Sequence, residues 1–413
     1  MKLTKTKCIA CSFVLSLWAC TGTEKTKADA QNNPEFTKGS YGYDAGFLKK
    51  YLKHTIELKN TSGQVRILVS PEYQGRVMTS SANGDSGFSF GWINYDLIAA
   101  QKFKPQFNPV GGEERFWLGP EGGQFALYFN RGDSFNLAHW QVPPVLDTVP
   151  FEIQTYDSSS VQFSKKATLI NYTGTSFQLE IARSIRLMDK KSIEEKLKMA
   201  LPAGIHAVGF ESKNEIRNEG KDPWMKEKGL LSIWLLGMMT PTAHTVVCIP
   251  FLAGPHSREY ITDNYFGKIP SDRLQVKDSV LFFRCDGKRR SKLGLSPKIA
   301  ASMAASFDFE KNVLTLIFFP VVRNGLYVNS KWEMQKDPYS GDVVNSYNDG
   351  PLADGTQLGP FYEIESSSAA MELKPGETEG HRQITCHLQG DYSSLRGIAR
   401  SLLGVELDEM KKM

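Results

Sequence analysis

The chain has 413 residues, 41% hydrophobic and 23% charged, which is enough for a sizeable buried core. Its formal net charge of +4 falls to about +1 once Lys2, Lys5 and Lys7 of the N-terminal leader are set aside. A nearly neutral protein has no electrostatic footing for nucleic acid or an anionic membrane surface, so both are excluded as partners of the folded part.

The leader comes first. Lys2, Lys5 and Lys7 form a basic region, and residues 9–17 form an apolar stretch too short to span a bilayer. Leu17-Trp18-Ala19-Cys20 follows and resembles a bacterial lipobox. The resemblance implies cleavage before Cys20 and a lipid on its thiol. The expected organisation is a signal peptide over 1–19, a flexible tether over 20–39 and one domain over 40–413 with a C-terminal helix. The expected place is the bacterial cell envelope, with the protein lipid-anchored at the outer membrane on its periplasmic or surface face. The lipid anchor is the only membrane contact this implies. Beyond Cys8, Cys11 and Cys20, three cysteines remain: Cys248, Cys285 and Cys386. None has CxxC spacing, so a metal cluster or redox pair is not expected; one disulfide and three buried thiols both stay open.

No linker, low-complexity run or fixed-period repeat interrupts residues 40–405. What recurs is short β-like runs bounded by Gly, Asn, Asp and Pro, such as 55–58, 65–69, 160–163, 177–181 and 313–319. Most alternate apolar and polar residues, as expected for sheets with one buried face. Ser192 with Glu195 forms a capping-box pattern for a short helix to about Ala200. Residues 286–292, rich in Lys and Arg, are expected to be a solvated hairpin tip. Leu395, Ile398, Ala399, Leu402 and Leu403 have helical spacing, with Gly404 as a stop. Many strands and few short helices predict an all-β protein, and its length favours one large two-sheet antiparallel sandwich.

One segment is chemically richer than the rest: residues 108–129, NPVGGEERFWLGPEGGQFALYF, expected as turns with two short strands. Gly111, Gly112, Gly122 and Gly123 allow unusual backbone or close approach. Arg115 offers a planar fork; Glu113, Glu114 and Glu121 offer acceptors; Trp117 offers a flat face. Such a set suits a polyhydroxylated ligand, which needs hydrogen bonds at its edges and stacking on its faces. A Gly-rich turn with solvated acids is the competing account.

The order of features resembles the galactose-mutarotase-like supersandwich, the fold of aldose 1-epimerases and related carbohydrate-active proteins. Gly75-Arg76-Val77-Met78-Thr79-Ser80 resembles the opening strand of those domains. Arg115 lies where epimerases carry a sugar-binding arginine, and His139-Trp140 follows at a similar separation. Phe361-Tyr362-Glu363-Ile364-Glu365 precedes Leu373-Lys374-Pro375-Gly376-Glu377, as an epimerase strand bearing the base glutamate precedes an L-x-P-G-E turn. More closely, the chain is similar to exported mutarotase-like proteins of gut and soil bacteria that carry GGExRxW-x-x-PEGG. One departure stands out: residues 214–238, where epimerases hold an acid histidine, contain none; His206 comes too early and His244 too late.

The resemblance implies Glu363 or Glu365 as general base and Arg115 as a sugar-binding group; the residues themselves offer His139 as the best available acid or a ligand donor, Trp117, Trp140 and Trp234 as faces for stacking a sugar, and Glu121 as a second carboxylate opposite Glu363. Glu363 and Glu365 are two apart on a strand and so share a sheet face. Each residue has a plainer reading: Arg115 as structural partner of Glu113 or Glu121, His139 as a packed histidine, and Trp117, Trp140, Trp224 and Trp234 as core. Asn348-Asp349-Gly350 and Asp263-Asn264-Tyr265 are loop clusters suited to line the cleft mouth or to supply the oxygen ligands Ca²⁺ takes, but turn chemistry explains both more simply. No cofactor is expected. The expected partner is a sugar or oligosaccharide, and the leading activity is that of an aldose 1-epimerase-like isomerase. The alternatives are a non-catalytic glycan-binding lipoprotein and a glycan-cleaving hydrolase or lyase with paired carboxylates.

Overall fold

The computed structural model describes residues 36–413; the leader, Cys20 and the 20–35 part of the tether lie outside the described residues. Alternation builds the sheets. Along Ser176–Leu187, buried Phe177, Leu179, Ile181, Ile185 and Leu187 alternate with outward residues. This strand lies within a ten-stranded antiparallel sheet that runs from Leu274–Val276 at one edge to Glu152–Tyr156 at the other. A six-stranded antiparallel sheet packs on it, in the order Ile261–Thr262, Ser291–Leu295, Val344–Asn348, Tyr362–Ser367, Ser232–Met239 and Arg115–Gly119. A three-stranded sheet (Ile56–Lys59, Arg66–Ser70, Arg76–Ser81) adjoins the pair. The expected all-β architecture with few short helices is therefore observed.

Apolar side chains from both large sheets fill the space between them. Phe116, Leu118, Ile233 and Leu235 meet Val161, Phe163, Ile181 and Phe210 at one end, while Leu293, Leu295 and Ile364 meet Val247, Leu281 and Ile317 at the other. A polar seam crosses this core. On Thr378–Gln389 the inward positions His381, Gln383, Thr385 and His387 are all polar and buried, whereas Ile384, Cys386 and Leu388 face the other way into a separate apolar cluster. Ion pairs and hydrogen bonds meet most of the seam's polar groups, as burial requires, with Glu113 Oε1 left without a partner. Arg183 pairs with Glu114 at 3.0 Å, Gln383 donates to Glu114 at 2.8 Å, and His387 Nε2 lies 3.0 Å from Glu113.

Helices cover the outer face of the ten-stranded sheet. Tyr392–Leu403 begins at Asp391, whose carboxylate accepts from Ser394 N, and ends at Gly404 with φ 67°. The expected helix near Ser192 is Lys190–Leu197; its cap is Asp189, whose carboxylate accepts from Ser192 N. Ser192 therefore sits inside the first turn, a correction to the capping-box reading. The Tyr41–Tyr51 helix was not foreseen: residues on most of its sides are buried, so it shows no one-sided stripe. Cys248, Cys285 and Cys386 are all buried free thiols. Leu395 is fully buried between its helix and the sheet. Leu395→Ala is expected to cost about 2–5 kcal/mol, read as a lowered midpoint in denaturant unfolding with unchanged m-value.

Candidate functional site

The six-stranded sheet has a second face, and that face floors a cleft of about 740 Å³. Register sets its composition. Arg115, Leu236, Glu365, Asn345 and Gly294 form one row across neighbouring strands; Met238, Glu363, Tyr347 and Lys292 form the next. The intervening residues Phe116, Leu235 and Ile364 point into the core. Period-two geometry thus gathers residues from distant parts of the chain onto one surface.

Segment 108–129 supplies one wall. It contains a single strand, Arg115–Gly119, rather than two. Gly111 (φ 100°) passes so close to Trp92 that an added Cβ would sit 1.9 Å from the Trp92 carbonyl oxygen. Glu113 and Glu114, expected as ligand acceptors or solvated acids, are buried in the inter-sheet seam instead. Of the three acids only Glu121 lines the cleft.

Arg115 pairs with neither Glu113 nor Glu121; its Nη2 donates to Glu363 Oε1 at 3.0 Å. Its guanidinium lies 3.9 Å from the Trp117 ring centroid, a stacked cation–π contact. Arg115 Nε and Nη1 are buried without a protein partner, as are Trp140 Nε1 and Glu365 Oε1. Orphaned buried donors are costly. Arg115 and Trp140 line the cleft, so the donors they leave free are available to a polar ligand.

Glu363 is buried on the floor, and burial pushes its pKa up to about 8; Arg115 opposes the shift and Glu365 adds to it. Glu121 is also raised by burial, with Lys292 opposing and Glu365 adding. Glu365 is fully buried and absent from the lining. Its Oε2 accepts from Trp234 Nε1 and from Lys292 Nζ, both at 2.9 Å. It sits behind the lining, holding Lys292 and Trp234 and adding negative charge beside Glu363.

Lys292 corrects a sequence expectation. The 286–292 stretch is not wholly a solvated tip: Lys292 is on the Ser291–Leu295 strand, 9% exposed, and Arg290 lines the cleft. The alternation in Ser-Lys-Leu-Gly-Leu carried the signal, since Leu293 and Leu295 enter the core and place Lys292 on the opposite face. The charges of Glu365, Glu121 and Glu363 all raise the Lys292 pKa against burial. Tyr347 and Trp332 are further lining residues not singled out from sequence, and Asp349 and Gly350, weighed from sequence for the cleft mouth, also line it.

Aromatics complete the wall. Trp140 stacks on Trp332 (centroids 5.8 Å, interplanar 25°) and near-parallel to Tyr128 (6.2 Å, 7°). Trp117 and Trp234 meet edge to face at 5.5 Å. Trp224 packs on Phe177 in the core, away from the cleft. His139 lines the mouth and is exposed, with Nδ1 3.2 Å from the Ser134 carbonyl oxygen. Arg115, Trp117, Glu121, His139, Trp140, Trp234 and Glu363 thus converge on one cavity.

The two loop clusters weighed for Ca²⁺ have internal partners. Asp263 pairs with Arg258 and with Lys268, the latter at 2.7 Å, and Asp349 accepts from Tyr347 Oη at 2.7 Å. Among the described residues no cluster of three or more His, Cys, Asp or Glu is arranged to hold a metal.

Behind the floor, Asp342 accepts from Tyr265 Oη at 2.8 Å, and burial raises its pKa from 3.8 to about 6. A raised carboxyl favours the protonated native state, so its stabilising contribution is full below 3.8 and lost as pH rises through about 6. Asp342→Asn is expected to remove that loss, about 3 kcal/mol, so that the variant gains stability over wild type above pH 6 and not at pH 3.5. Denaturant unfolding at both pH values checks it.

The fold and site define a large β-sandwich whose exposed sheet face carries an aromatic cleft with paired carboxylates and cations. The chain is similar in fold to a candidate aldose 1-epimerase of Escherichia coli K12, with 9% identity, TM-score 0.49, and coverage of 82% of this chain and all of that one. It is likewise similar to a Synechocystis protein (12%, TM-score 0.49, 82% and 96% covered) and to a galactose mutarotase-like protein of Lactobacillus casei (11%, TM-score 0.45, 81% and 99% covered). No curated protein matches it in sequence. The chain belongs to DUF6786, a family of unknown function, which matches residues 39–413.

Proposed function

We propose that the cleft binds a sugar or glycan and interconverts the anomers of its reducing unit by proton transfer. The observation that carries this reading is Glu363: a buried carboxyl raised to about 8, bonded to Arg115, on an aromatic floor with unpartnered donors. A group with such a value holds a proton at neutral pH and gives it up readily. Burial therefore suits Glu363 to the acid's starting form, where the sequence resemblance implied the base.

The reaction balances with two carboxyl groups. Glu121, as carboxylate, takes the proton of the anomeric hydroxyl; the electron pair forms the carbonyl at C1, and the C1–O5 bond breaks. O5 takes the proton from Glu363. Rotation about C1–C2 and return of both protons closes the other anomer. Arg115 steadies the Glu363 carboxylate formed in mid-cycle. His139, at the exposed mouth, is suited to hydrogen-bond a sugar hydroxyl. Trp140 and Trp332 offer stacked faces for the ring.

NMR exchange spectroscopy on free hexoses, uronic acids and oligosaccharides tests the proposal. Anomer exchange above the uncatalysed rate is expected for at least one. Binding without exchange would leave a glycan-binding protein, and neither binding nor exchange would end the reading altogether. The leader pattern supports a companion proposal, that Cys20 carries lipid and tethers the cleft to the cell envelope; a Cys20→Ser chain released from membranes is its expected signature.

A further inference from the structure

Beside the reacting position the cleft holds a cation with no use in that chemistry. Arg290 lies with its guanidinium 3.8 Å from the ring centroid of Phe266, itself 39% exposed at the rim. Its neighbours Arg273 and Lys292 pair with Asp286 and Glu365. Arg290, among the described residues, forms no ion pair. The acid on this side, Asp349, is occupied: it accepts from Tyr347 Oη at 2.7 Å and from Gly359 N at 3.0 Å. Phe266 stands edge-on to Tyr347 at 6.0 Å. Tyr347 is in turn the cross-strand partner of Glu363, and neighbouring strands lie about 4.8 Å apart. The Arg290–Phe266 platform and Glu363 therefore line the same cavity, with Tyr347 between them.

We infer that Arg290 and Phe266 form a second subsite that takes an anionic sugar unit linked to the one bound at Glu363, so that the ligand is an acidic oligosaccharide. The inference rests on the sugar-binding reading and specifies its substrate class. A guanidinium stacked on an aromatic ring is fixed in plane and presents its fork to a carboxylate or sulfate, which it binds bidentately. Phe266 offers its remaining edge and face to the ring that carries the anion. The cavity is larger than one pyranose can fill, as a two-unit ligand requires.

Titration calorimetry with disaccharides of galacturonic or glucuronic acid, each against its neutral galactose or glucose counterpart, tests it. Wild-type protein is expected to prefer an acidic member by roughly tenfold, with the preference shrinking as salt is raised. Arg290→Gln is expected to abolish the preference and Arg290→Lys to keep part of it. Equal affinity for acidic and neutral members, or a preference that survives Arg290→Gln, overturns the inference while leaving the sugar reading standing. Failure of every disaccharide and monosaccharide to bind overturns both.

Discussion

Glu363→Gln is expected to lower the rate of anomer exchange by about 10³-fold, within the usual range for a lost acid–base group, while the sugar still binds. Glutamine keeps the shape of the side chain and can still accept from Arg115, which donates to Glu363 at 3.0 Å. Its amide N–H is far too weak an acid to protonate O5. The wild-type profile should fall as pH rises through about 8, where Glu363 loses its proton. Glu365→Gln provides an independent check. Glu365 raises the Glu363 value while Lys292 lowers it, so removing the Glu365 charge moves that limb to lower pH. A limb that stays at about 8 in Glu365→Gln would show that the profile reports another group.

Glu114→Ala is expected to be the most destabilising of the substitutions considered, at about 3–5 kcal/mol. Arg183 is 1% exposed, and burial already lowers its pKa. It donates to Glu114 Oε1 at 3.0 Å, to the Gly75 carbonyl at 3.0 Å and to Asn214 Oδ1. Removing Glu114 leaves a charge between the sheets with only neutral acceptors, and leaves Gln383 without the carboxylate it donates to. Glu114→Met with Arg183→Met removes both charges and should recover most of the loss. Denaturant unfolding of the single and double variants decides it: equal losses would mean that the cost comes from packing and not from the unpaired cation.

Much of the architecture was legible because alternation survives in single strands. The runs at 55–58, 65–69, 160–163, 177–181 and 313–319 all lie in or beside observed strands. The cleft residues were partly legible for the same reason: Glu363 and Glu365 two apart on an apolar strand, and Arg115 and Trp117 two apart on another. Alternation alone did not say that Glu365 would be roofed by Trp234 and Lys292, because those contacts join residues 131 and 73 positions distant. Lys292 was hidden in a run of basic residues that reads locally as solvated, and the alternation of Leu293 and Leu295 after it was the one local sign that it starts a strand. Glu113 and Glu114 misled in the opposite direction. Two adjacent acids after a Gly pair look like a turn, yet each meets a partner on the ten-stranded sheet, His387 and Arg183. Pairings across sheets are set by tertiary packing, which leaves no local period.

The division of labour between strands and loops around the cleft has an evolutionary reading. Arg115, Trp234, Lys292, Tyr347 and Glu363 stand on strands whose other face is the core, so their positions are tied to folding itself. Phe266, His139 and Trp332 stand on connecting segments outside the named strands that can lengthen or change without disturbing that core. Changes at the rim therefore disturb the fold less than changes on the floor, which makes the rim the easier place to alter which ligand the cleft takes. Grafting the 263–268 and 350–360 segments between relatives would be a practical way to change which ligand the cleft takes.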